Sequence, residues 1–98
     1  MIFPEQTKRA VKTTSQFRKD FKKAIKQNKD LEKLKAVVLQ LANDEVLDEK
    51  YRDHALHAEL RGFRECHLSP DWLLMYRKSE SELILTLVEL NSHSNMFR

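Results

Sequence analysis

Glycine, proline and cysteine are nearly missing from this chain, which has one Gly, two Pro and one Cys in 98 residues. A lone Cys66 excludes an internal disulfide and any zinc site built on four thiolates. So few chain breakers, beside 34% charged and 41% hydrophobic residues, exclude a disordered or low-complexity chain and point to a compact fold with much helix. Long apolar runs are absent too, and Met1 to Ala10 lacks the apolar stretch of a secretory signal, so a cytoplasmic protein with no membrane partner is expected. This length leaves room for one small core. A single domain over residues 1–98 is expected, with residues 1–8 a loose N-terminal extension.

Acidic residues are scarce in the front third. From Met1 to Lys35, 11 Lys/Arg face 4 Asp/Glu, whereas from Ala36 onward 7 face 11, and the whole chain carries +3. Such a basic surface attracts phosphate backbones regardless of sequence. Lys19, Lys22, Lys23 and Lys26 supply much of it and are candidate RNA contacts; the plainer reading is that they solvate the outer face of a helix.

Thr14 or Ser15 can cap that helix, in which Phe17, Phe21 and Ile25 form an apolar stripe opposite the lysines and which should end near Asn28. Asp30 can cap a second helix carrying Leu31, Leu34, Val37, Val38 and Leu41, before Asn43 and Asp44 break the spacing. From Phe63 to Leu68 the pattern alternates, with Arg64, Cys66 and Leu68 on one face and Phe63, Glu65 and His67 on the other. Ser69-Pro70 ends that strand. Trp72 to Tyr76 and Leu83 to Val88 are nearly continuous apolar runs around a polar turn, as in a hairpin at the middle of a sheet. A short strand also fits at Arg9 to Thr13. The fold class expected is therefore α+β, a small antiparallel sheet with an N-terminal helical hairpin packed on it. The connection from Asp44 to Gly62 is long, and small domains keep such connections mostly for function.

Three of the four histidines, His54, His67 and His93, are spread through the second half, and Asp71-Trp72 follows His67 by four residues, whereas His57 has no apparent partner and no role. Cleaving RNA through its own 2′-hydroxyl needs a base, an acid and positive charge for the phosphate, and histidine can supply all three near neutral pH. Asp71, across the turn, can orient an imidazole. Trp72 or Phe97 offers a flat surface for a base. Each has a duller reading: Asp71 as a turn residue, Trp72 as core, Cys66 as a packed thiol. The histidines sit on separate elements with no close ligand spacing, so no metal or other cofactor is assigned.

The ordered string Tyr51-Arg52-Asp53-His54-Ala55-Leu56, Gly62-Phe63-Arg64-Glu65-Cys66-His67, Pro70-Asp71-Trp72-Leu73-Leu74-Met75-Tyr76, Ser92-His93-Ser94 and Phe97 resembles the YafQ-like branch of the RelE/ParE toxin superfamily. The resemblance implies a bacterial type II toxin with a RelE-like fold, a ribosome-dependent endoribonuclease that cuts messenger RNA in the A site. It implies a metal-independent reaction that leaves a 2′,3′-cyclic phosphate and a 5′-hydroxyl. The implied partners are the ribosome, mRNA and a cognate antitoxin with its own DNA-binding dimer module. Carried over by motif, His54, His67, Asp71 and His93 fall on catalytic positions, and Trp72 and Phe97 on positions that hold RNA. Either His93 or His67 is expected to exchange protons with the scissile group, with Asp71 as base or orienting carboxylate. Two positions depart from the pattern: Glu89 stands where the family has arginine and Asn91 where it has glycine. A glutamate repels the phosphate that an arginine would stabilise, and Arg64, Arg77 and Arg52 are the candidates to supply the missing cation. The alternative is a catalytically weakened homologue that mainly binds antitoxin and operator DNA.

Overall fold

The computed structural model describes residue 3 and residues 6–92. Its elements run β1 (Ala10–Thr13), α1 (Ser15–Lys26), α2 (Leu31–Ala42), β2 (His54–Ala55), β3 (Arg64–Ser69), β4 (Trp72–Lys78) and β5 (Ile84–Ser92), with single 3-10 turns at Glu49–Tyr51 and Ala58–Leu60.

Thr14 starts α1 and fastens it to the sheet. Its Oγ1 accepts the Phe17 amide at 3.0 Å while its hydroxyl donates to the Val88 carbonyl and its amide to the Leu87 carbonyl. Phe17 and Ala24 are buried and Phe21 is partly so, but Ile25 is 48% exposed. The stripe thus bends away from the expected Phe17, Phe21, Ile25 line. Each four-residue step overshoots a full turn by about 40°, so two steps leave the core-facing side, whereas seven residues nearly close two turns. Asp30 caps α2 as expected, its carboxylate accepting the Lys33 amide at 3.0 Å.

Both helices stop in the same way. Asn28 and Asp44 turn left-handed, with φ of 56° each. The amides beyond them reach back, Lys29 to the Ala24 carbonyl and Glu45 to the Gln40 carbonyl, which is the six-residue closure that satisfies a helix end. Asp44 adds ion pairs with Arg9 at 2.7 Å, Lys78 at 2.7 Å and Lys8 at 3.3 Å, joining the end of α2 to β1 and β4. Lys8 also bonds Asn43 through its amide, and Phe3 packs on Phe17 with ring centroids 6.4 Å apart.

The sheet has the order β1-β5-β4-β3-β2. β2 to β5 pair antiparallel as expected, but β1 runs parallel to β5, so the whole sheet is mixed. The helices cover one face, and the core there joins Phe17, Leu34, Val38 and Leu41 to Cys66, Leu68, Trp72, Leu74, Tyr76 and Leu87. Leu73 and Met75 alternate with those residues and are also buried, on the opposite face and outside that core. Burial on both faces accounts for the unbroken apolar run of β4. A bulge in β5 pairs Met75 with Glu89 but Tyr76 with Leu87, which turns Glu89 and Asn91 toward the face away from the helices.

Candidate active site

The site grows from strand parity. Arg64, Cys66 and Leu68 point to the helix side of β3, leaving Glu65 and His67 on the other face, and a bulge after His67 sets Ser69 opposite the core residue Trp72. β2 is only two residues long, yet its register places His54 directly opposite Glu65. His54 Nε2 lies 3.2 Å from Glu65 Oε1, and Nδ1 lies 2.6 Å from the Arg52 carbonyl. A carbonyl only accepts, so Nδ1 is the ring's donor to Arg52, and Nε2 is the nitrogen that faces the Glu65 carboxylate. The His54 and His67 rings sit 6.3 Å apart, tilted by 35°. His54, Glu65 and His67 thus form one cluster of titratable side chains.

Beneath it a second cluster fixes the approach of the chain. Tyr76 Oη donates to Asp53 Oδ1 at 2.5 Å, and Arg64 Nε donates to Tyr76 Oη at 3.2 Å and to Asp53 at 3.3 Å. Burial, and then the Asp53 charge, push the Tyr76 hydroxyl far above its ordinary value, so it remains a donor. Asp53 is the neighbour of His54, so this tie holds the β2 segment against β3 and β4.

Beside His67 opens a cleft of about 560 Å³ lined by Lys33, Lys50, Tyr51, Arg52, His67, Leu68, Ser69 and Pro70. Its charged lining is cationic throughout. The cleft lies between the start of α2, the 3-10 turn at Glu49–Tyr51 and the end of β3.

Several expected site residues fall elsewhere. Trp72 is 4% exposed and packed in the core, with the Lys29 ammonium 5.9 Å from its ring centre, so it is not an open stacking surface. Arg64 points away from the His67 face, and its charge is taken by Asp53. Asp71 is exposed and accepts from Ser69 Oγ at 3.4 Å; the carboxylate that meets His54 is Glu65. No local signal in the sequence marks Glu65 as a partner of His54, because the pairing rests on the register of a two-residue strand. Lys19, Lys22, Lys23 and Lys26 are all exposed on α1. His93 and Phe97 lie outside the described residues.

The match to known proteins follows the same stretch of chain. Residues 9–98 match the family described as a bacterial toxin of type II toxin-antitoxin system, YafQ. The chain belongs to the YafQ family. An mRNA interferase toxin YafQ of Escherichia coli B / BL21-DE3 is 34% identical over 90 residues, covering 91% of this chain and 96% of that one. YafQ family structures share the fold described above. The E. coli DinJ-YafQ complex superposes with a TM-score of 0.83 at 34% identity, covering 92% and 99% of the two chains. A metal-bound toxin from Helicobacter pylori gives 0.83 at 46% identity, covering 89% and 97%. Among the described residues of this YafQ family member, no three His, Cys, Asp or Glu side chains converge as a metal site would need. No helix among them is long and apolar enough to cross a membrane.

Proposed function

We propose that this chain is an mRNA-cleaving toxin that acts in the ribosomal A site and is silenced by a cognate antitoxin. The observation that carries this reading is the meeting of His54, Glu65 and His67 on one sheet face beside a cationic cleft. In the proposed reaction a base removes the 2′-hydroxyl proton, the 2′-oxygen attacks the adjacent phosphorus, and an acid protonates the departing 5′-oxygen. The products are a 2′,3′-cyclic phosphate and a 5′-hydroxyl. His67 lines the cleft, which supports its assignment to exchange a proton with a bound strand. His54, held between Glu65 and the Arg52 carbonyl, is a second ring that keeps its proton close by. His93 is assigned to the same proton exchange, Asp71 to its support and Phe97 to holding a nucleotide, as the motif implies.

The DinJ-YafQ complex of E. coli supports an antitoxin partner for this chain. We assign that partner its own DNA-binding dimer module, and the exposed lysines of α1 to contact with ribosomal RNA. Mapping transcript ends during induced expression tests the reading. New cuts at ribosomal A sites are expected, lost in His67→Ala, and intact transcripts at every expression level would end it.

One observation favours a second reading, a weakened nuclease kept for binding antitoxin and operator DNA. Glu89 pairs with Met75, which pairs with Glu65, so two carboxylates share the His54 face. Under that reading Glu89→Arg turns a harmless chain into a toxic one. Under the first, wild type is already toxic.

A further inference from the structure

The cleft beside His67 has more cationic lining than any ion pair around it requires. Lys33, Lys50 and Arg52 converge there from two elements, with no acidic side chain in the lining. About 560 Å³ is within the range of sites that hold whole small molecules rather than single ions. A concave wall of one sign also focuses its field, so these cations attract an anion more strongly than the same charges on a convex helix.

Arg52 is the unusual member. It closes the 3-10 turn with a left-handed backbone, φ 48° and ψ 44°, a conformation that a long side chain adopts only when its surroundings demand it. That turn aims the Arg52 carbonyl at His54 Nδ1, 2.6 Å away, while the residue also lines the cleft with His67. One residue thus connects both imidazoles to the cationic wall. Tyr51, half-buried beside it, carries the Lys50 ammonium 5.2 Å above its ring.

We propose that Arg52, Lys33 and Lys50 form a phosphate-binding wall that takes the single-stranded RNA backbone next to the scissile phosphate, with Arg52 as its principal cation. The choice of RNA as occupant rests on the ribonuclease reading. The wall is a positioning device for the strand, and Arg52 supplies charge stabilisation from the loop rather than from β5.

A labelled, fully 2′-deoxy octanucleotide lacks the attacking hydroxyl, so its binding can be followed by anisotropy whether or not the chain cuts RNA. Wild type should bind, with an affinity that falls as salt rises. Arg52→Gln should reduce the log–log salt slope by about 0.7, and the pair Lys33→Gln with Lys50→Gln by about twice that. The pair Lys12→Gln with Lys35→Gln removes equal charge outside the cleft and should leave the slope unchanged. In the transcript assay, Arg52→Gln should lower cleavage roughly a hundredfold, as expected for one lost charge-stabilising group. No binding by wild type, equal slope loss in the control pair, or wild-type cleavage by Arg52→Gln would overturn the proposal. A wild type that binds but never cuts would leave the cleft assigned and remove only the ribonuclease reading.

Discussion

Tyr76→Phe isolates the tie beneath His54. Tyr76 is 1% exposed, and its hydroxyl donates to Asp53 at 2.5 Å while accepting from Arg64 at 3.2 Å. Phenylalanine keeps the ring and its packing, so no cavity term enters. The loss is a hydrogen bond to a charged group, worth about 1.5–3 kcal/mol. Asp53 keeps Arg64 at 3.3 Å and is 24% exposed, so water replaces part of the bond and the lower half of the range, about 1.5–2 kcal/mol, is expected. In a domain this small each kcal/mol moves the melting temperature by roughly 4–8 °C. Urea unfolding of wild type, Tyr76→Phe, Asp53→Asn and the double variant should show a coupling of about 1 kcal/mol between the two sites. Tyr76→Phe should also slow RNA cleavage less than His54→Ala does, because the reacting groups stay in place on a looser segment. A loss below about 0.5 kcal/mol, or additive single variants, would refute the idea that these three side chains act together.

Asp44, held well below its ordinary value of 3.8 by Lys78 and then Arg9, stabilises the fold above that value and loses its contribution as pH falls beneath it. Asp44→Asn should therefore cost about 1–3 kcal/mol at pH 7, with the gap to wild type closing in acid unfolding curves below about pH 4. Burial, followed by the Asp53 and Glu65 charges, pushes the Cys66 thiol up to about 12, so disulfide reagents should label it only at the rate of unfolding. Rapid labelling of the native chain would contradict the packing of β3. Replacing Lys19, Lys22, Lys23 and Lys26 together by glutamine should weaken ribosome binding in a sedimentation assay and flatten its salt dependence, whereas unchanged binding would make them a solvated face.

Much of the fold was legible because local rules agreed with one another. Thr14 and Asp30 cap the helices they precede, and the alternation of Arg64 to Leu68 separates a core face from an open one. The misreadings have physical causes. Phe17, Phe21 and Ile25 look like one stripe at four-residue spacing, but a helix turns past that line and substitutes Ala24. The sequence offers no local sign that β1 pairs with β5, because its four residues are tied to a partner more than seventy positions away. Parallel pairing there converts an antiparallel expectation into a mixed sheet.

The site was legible in its histidines and illegible in their partners, for a reason that bears on how this chain works. His54 and His67 stand out as candidates by residue type, and the structure brings them together, but Glu65 becomes a partner only through the register that sets it opposite His54. The same register sets Met75 between Glu65 and Glu89, so two carboxylates share the sheet face that carries His54 and His67. Two carboxylates about two strand spacings apart, roughly 10 Å, cannot attract a phosphate. The cations that meet beside His67 are those lining the cleft, Lys33, Lys50 and Arg52. On this reasoning Glu89 does not by itself disarm the chain. Under the proposed Arg52 contact the phosphate is held from the turn rather than from β5, so catalysis should be more sensitive to changes in that turn than to changes at position 89.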